Sequence, residues 1–128
     1  MINQFPKDHD EQLSENFWLR EFRCHCVFPD CKTTYICEEL IEGLQALRDA
    51  IGEIKILSGF RCTEHNASIG GKPKSQHLIG IAADCHSLKL KPPKLAGAAV
   101  KIGCFESGGI GLYSWGVHLD VRGIKARW

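Results

Sequence analysis

Three short stretches hold most of the side chains able to do chemistry: Ser58-Gly59-Phe60-Arg61, Ser75-Gln76-His77 through Asp84, and His118-Leu119-Asp120. A zinc ion with an open coordination position takes three protein ligands from histidine and carboxylate and keeps the fourth for water. His77, Asp84 and His118 supply such a set. Asp84 closes the small apolar run Leu78-Ile79-Gly80-Ile81-Ala82-Ala83. That run suits a buried strand, and a carboxylate at its end is costly unless a cation or a metal meets it. An Asp paired with an Arg, and histidines satisfied by core hydrogen bonds, would account for the same spacing.

A few elements must position these residues. Ser14 can cap a short helix over 15–22, with Phe17, Trp18 and Phe22 on one side. Ile36, Leu40, Leu44, Leu47 and Ile51 recur at three- and four-residue steps and predict the clearest helix. Thr33 or Thr34 precedes it, Glu38 and Glu39 fall in its first turn, and Gly52 ends it. Residues 53–57 read as a strand stopped by Ser58-Gly59, and 62–76 as a long loop around Gly70-Gly71 and Pro73. A second strand is expected within 78–86, and Pro92-Pro93 opens a second helix ended by Gly103. Residues 110–113 and 116–122 form a hairpin; Val117, Leu119 and Val121 face one side of its last strand, His118, Asp120 and Arg122 the other. Helices followed by a small antiparallel sheet define an α+β fold. Residues 1–13 are polar and expected to be loose, leaving 14–128 as one domain.

The bulk properties fit that picture. The chain has 128 residues, 44% hydrophobic and 24% charged, with a net charge of +1. This suits one globular domain with a real core, and excludes a strongly basic nucleic-acid footprint and composition-driven disorder. No run of 18 apolar residues is present, so no membrane insertion is expected. The first 22 residues lack the basic and apolar regions of a signal peptide. Seven cysteines are an odd count, which argues against a complete disulfide framework. Cys24, Cys26, Cys31 and Cys37 sit within fourteen residues, with His25 among them. They could hold a structural zinc, or pair with Cys62 or Cys104; Cys85 reads as core.

Taken together, SGFRCTEHN, SIGGKPKSQHLIGIAAD and GIGLYSWGVHLDVR resemble the zinc D-alanyl-D-alanine peptidases of the M15 family. The most specific stretch is Ser75-x-His77-x-x-Gly80-x-Ala82-x-Asp84, and the resemblance covers residues 14–128. Within the family it is similar to the short peptidases of phage and prophage genomes. The resemblance implies the hedgehog/DD-peptidase fold, zinc held by His77, Asp84 and His118, and metal-assisted hydrolysis of peptidoglycan stem peptides by a monomer. It assigns Arg61 to the substrate carboxylate or the developing oxyanion, with a structural ion pair as the alternative. Ser75 would orient the His77 loop or touch substrate. Tyr113 and Trp115 would line the cleft or simply pair across the hairpin. A protein made in the cytoplasm without a signal peptide would reach the wall after lysis or through a holin.

The chain departs from part of the family at one position. Several members carry Glu or Asp three residues before the last zinc histidine as general base, where this chain has Trp115. Asp120 shares the strand face of His118 and becomes the candidate base or a partner behind the metal site, with Glu106, Glu64 and His86 as outsiders. The alternative is a non-catalytic zinc-binding module of hedgehog-like type, serving wall binding or phage structure.

Overall fold

The computed structural model describes residues 1–128. Seven strands and four helices follow in the order β1 (Ile2–Pro6), β2 (Thr33–Cys37), α1 (Glu38–Ile51), β3 (Ile54–Ser58), α2 (Thr63–Ser68), β4 (Ala82–Ser87), α3 (Pro92–Ala99), α4 (Gly103–Glu106), β5 (Gly109–Tyr113), β6 (Gly116–Asp120) and β7 (Ala126–Arg127). The main sheet has the order β3-β4-β6-β5-β7, antiparallel except where β7 runs parallel to β5. A second, two-stranded sheet pairs β1 with β2. The α+β class expected from the sequence is the class observed.

The alternation of the central strands separates core from site. Ala83 and Cys85 of β4, Val117 and Leu119 of β6, and Ile110 of β5 join the buried apolar cluster. Leu40, Ile41, Leu44 and Leu47 of α1, Leu95 and Ala99 of α3, and Phe105 of α4 belong to the same cluster, as do Phe17, Leu19 and Phe22. The intervening residues, Asp84 on β4 and His118 and Asp120 on β6, turn to the opposite face.

Several local expectations are corrected. The segment 1–13 is not loose: β1 pairs in register with β2, from Ile2 opposite Cys37 to Pro6 opposite Thr33. That pairing joins residues about thirty apart in sequence, so no local pattern announces it. Thr33 and Thr34 belong to β2 rather than to a helix cap, in keeping with the β-branched and aromatic run Thr33-Thr34-Tyr35-Ile36. The helix begins only at Glu38, with Glu38 and Glu39 in its first turn, where acidic groups meet the positive end of the helix dipole. Residues 15–22 form only a short 3-10 turn at Leu19–Phe22; Phe17 and Phe22 are buried as expected, but Leu19 is buried with them and Trp18 is exposed. The long loop contains α2 and a 3-10 turn at Gln76–Ile79, and the strand after it starts at Ala82. The second long helix stops at Ala99, with α4 as a separate turn beginning at Gly103.

The turn that ends at Gly80 explains the glycine between His77 and Asp84. Gly80 has φ +78°, and a Cβ there would collide with the Tyr35 carbonyl of β2. Its own carbonyl accepts from the Cys37 N–H at 2.9 Å. The β1–β2 ribbon thus braces the turn that carries His77. Gly80→Ala is expected to lower stability by at least about 1–2 kcal/mol, the cost of a left-handed L residue, before the contact with Tyr35 is counted. Chemical denaturation with an unchanged midpoint would contradict this.

Candidate metal centre and its cleft

Antiparallel pairing puts Asp84 directly opposite His118 across β4 and β6. His77 arrives from the 3-10 turn, where the Ser75 hydroxyl accepts from the His77 backbone N–H at 3.2 Å. Ser75 thus caps the turn that carries His77, and it also lines the cleft. Candidate ligand atoms of His77, Asp84 and His118 lie within 4.8 Å of one another, and all three residues are buried.

Each imidazole has its orientation set from behind. His77 Nδ1 lies 2.7 Å from the Gly59 carbonyl oxygen. A carbonyl only accepts, so Nδ1 carries the proton and Nε2 offers its lone pair. His118 Nε2 donates to Asp120 Oδ2 at 2.8 Å, which leaves Nδ1 as the free nitrogen. Both free nitrogens converge on Asp84 Oδ1, at 3.1 Å from His77 and 3.0 Å from His118. Two lone pairs aimed at one carboxylate oxygen repel unless a proton or a metal cation sits among them. Two nitrogens and one carboxylate with a side open to solvent are the donor set that zinc takes when it keeps an exchangeable position.

Asp120 stands behind His118 and does not line the cleft. It is fully buried. Besides His118 it receives Arg122 Nε at 2.9 Å and Nη2 at 2.6 Å, and the Gly109 N–H at 2.9 Å. A Cβ on Gly109 would strike this carboxylate, so the glycine makes room for it. Burial pushes Asp120 upward, but the hydrogen bonds from His118 and Arg122 outweigh it and hold the carboxyl well below its usual range. Asp84 behaves alike: burial is overcome by His118 and His77, and its pKa falls. For His118, burial works downward but the bonds to Asp120 and Asp84 raise it.

Arg61 approaches from the other side. Its Nη2 meets Asp84 Oδ2 at 3.0 Å, Nε meets Ser58 Oγ at 3.1 Å and Nη1 meets Asn66 Oδ1 at 3.3 Å. A register shift between Ile56 and Ser58 on β3 sets Ser58 opposite Asp84, the re-aiming a bulge provides beside a site. Gly59 passes within Cβ-clash distance of the Phe22 backbone, so the Ser-Gly-Phe-Arg turn needs glycine there. Asn66 ties the following loop down by donating to the Lys72 carbonyl at 2.8 Å.

A cleft of about 580 Å³ opens over these groups. Arg61, Lys72, Lys74 and Arg122 line it, and Asp84 is its one carboxylate. Tyr113 and Trp115 stack with ring centroids 4.8 Å apart and also line it, so the hairpin pair and the cleft wall are the same two residues. Trp128, Lys72 and Lys74 have no role in the sequence reading, and Arg122 is there only as a residue on the strand face of His118 and Asp120. The Trp128 ring lies 5.1 Å from that of His118, and its Nε1 donates to Tyr113 Oη at 2.7 Å. A site role for Arg122 could have been read from its alternation with His118 and Asp120; Trp128 carries no such signal.

The outsiders lie elsewhere. Glu106 pairs with Arg127 and Lys125, Glu64 sits in the first turn of α2, and His86 borders a different cavity near Lys89 and Pro92. Among the cysteines, Cys37 stands apart, its thiol donating to Glu39 Oε2 at 2.6 Å. Cys62 takes its place in a group with Cys24, Cys26 and Cys31.

A small α+β sheet thus gathers two oriented histidines and an aspartate on its polar face, beneath an open cleft, in an arrangement that could hold a metal ion. The Peptidase M15 family description matches residues 15–120, and the chain belongs to that family. Over 86 residues it is 36% identical to the zinc D-Ala-D-Ala carboxypeptidase of Streptomyces albus G. The match covers 66% of this chain and 34% of that protein, so the chain spans about a third of the length of the relative it matches.

Two measurements test the electrostatics. Asp120→Asn leaves His118 without its anionic brace, and zinc affinity should fall about 10–100-fold, read by chelator competition. Unchanged affinity would remove Asp120 from the metal site. In the metal-free protein the lowered carboxyls of Asp84 and Asp120 contribute stability above about pH 4 that is lost as pH falls. The raised His118 contributes stability below about pH 6.5 that is lost as pH rises through its folded value. Denaturation midpoints of metal-free protein should therefore peak between these limits, and a flat profile would refute the assignment.

Proposed function

We propose that the chain is a zinc peptidase acting on peptidoglycan stem peptides, as a carboxypeptidase or an endopeptidase. The observation that carries this reading is the His77–Asp84–His118 donor set at the floor of a cleft rimmed by cations. A zinc ion held there supplies Lewis acidity, polarising a carbonyl and making water a competent nucleophile near neutral pH. The chain's own residues supply orientation and charge. His77 and His118 present fixed lone pairs because Gly59 and Asp120 hold their opposite nitrogens. Asp120 acts as a positioning residue, since its oxygens are committed to His118, Arg122 and Gly109.

Charge balance points to an anionic substrate. Asp84 and Asp120 are matched by Arg61 and Arg122, so the metal's own charge meets no further protein carboxylate. Lys72 and Lys74 add to the positive rim. A short peptide bearing free carboxylates fits such a cleft, and the stacked Tyr113 and Trp115 offer it a flat wall. Three of the five Arg61 donors are held by Ser58, Asn66 and Asp84. The guanidinium is thereby fixed, and its remaining N–H groups serve a substrate carboxylate or an oxyanion without reorganising.

A second reading, a zinc-binding module without catalysis, draws on a specific observation. No carboxylate other than Asp84 lines the cleft, so none is free to take a proton from water there.

Zinc-loaded protein incubated with purified peptidoglycan should release stem-peptide fragments identifiable by mass, and chelation should stop the release. Binding to peptidoglycan with no fragment released would favour the second reading. Arg61→Lys should keep the fold and zinc but lower kcat/KM by about 10²-fold, because an ammonium cannot reproduce the planar contacts. An undiminished rate would return Arg61 to a purely structural role.

A further inference from the structure

Away from the cleft, Cys24, Cys26, Cys31 and Cys62 bring their four Sγ atoms within 4.8 Å of one another. All four are free thiols, and Cys26 and Cys62 are separated by 3.7 Å. A disulfide needs about 2.05 Å. Four sulfurs around one zinc at about 2.3 Å lie about 3.8 Å apart along the edges of the tetrahedron. We propose that these four cysteines hold a second, structural zinc ion, distinct from the His77–Asp84–His118 centre.

The surroundings suit thiolates. The Cys62 backbone N–H donates to Cys24 Sγ at 3.3 Å, and the His65 N–H to Cys62 Sγ at 3.4 Å. The Lys7 ammonium reaches Cys26 Sγ at 3.1 Å and so offsets the negative charge that four thiolates leave on one divalent ion. Phe28, Tyr35 and Phe60 pack around the group and shield it. Four protein ligands leave no position for substrate, which is the signature of a structural rather than a catalytic site.

The placement gives the ion a purpose. Cys24, Cys26 and Cys31 belong to the loop between Phe22 and β2, a stretch with no helix or strand of its own. Cys62 follows Arg61 directly and caps α2. One ion would fasten that loop to the segment that carries Gly59, which orients His77, and Arg61, which pairs with Asp84.

The test is metal content in the full chain carrying His77→Ala and His118→Ala, with circular dichroism to establish folding. The expected result is one zinc retained per chain, released by an organomercurial thiol reagent. Cobalt loaded into that variant should show intense thiolate-to-cobalt charge-transfer absorption. Folded variant without metal would overturn the proposal, as would peptide mapping that finds a disulfide among the four cysteines. Should the double variant fail to fold, cobalt loaded into the unaltered chain decides: charge-transfer absorption abolished by the mercurial supports the site, and its absence refutes it. The outcome is separate from the peptidase reading, because loss of the histidine site alone still leaves one mercurial-sensitive zinc.

Discussion

Seating the Asp84 carboxylate between two buried histidines is the constraint on which the rest of the molecule depends. An ionised group out of water is tolerated only when cations and donors replace its hydration. Here Oδ2 accepts from Arg61, while Oδ1 faces the free nitrogens of the two imidazoles and is satisfied by the proton or metal cation that sits among them. Those partners come from three separate elements, so the sheet, the Gln76–Ile79 turn and the loop after β3 must all be in place for Asp84 to be satisfied. The pairing of Asp84 with His118 is a matter of strand register, and slipping β6 by one residue would present Val117 or Leu119 in its place.

Several glycines follow from the same demand. Gly59, Gly80 and Gly109 each stand where a side chain would collide with backbone or with the Asp120 carboxylate. They lie in the stretches that also carry Arg61, His77 and the strand beside His118. Their service is to backbone approach, while the chemistry rests with the side chains beside them.

The candidate metal ligands were legible from residue type and spacing, and the hairpin with its two faces was legible from strict alternation over residues 116–122. What escaped was non-local. The β1 strand exists because β2 offers it an edge, and β7 because β5 does; neither has a pattern of its own. The role of Asp120 was open between base and brace because its strand face is shared by both. Only the Arg122 and Gly109 contacts show that its oxygens are occupied. Cys62 was separable from Cys37 only in three dimensions, since spacing favoured the nearer residue.

The two-residue strand β7 has a consequence for solubility. An open edge on β5 would expose unpaired backbone groups beside the half-exposed Leu112 and Tyr113, a template for strand addition by another molecule. The last residues cover that edge: Ala126 N–H bonds to Gly108, Trp128 N–H to Ile110, and Leu112 N–H to Trp128. The same strip of chain that lays an indole against His118 therefore also guards the sheet against self-association.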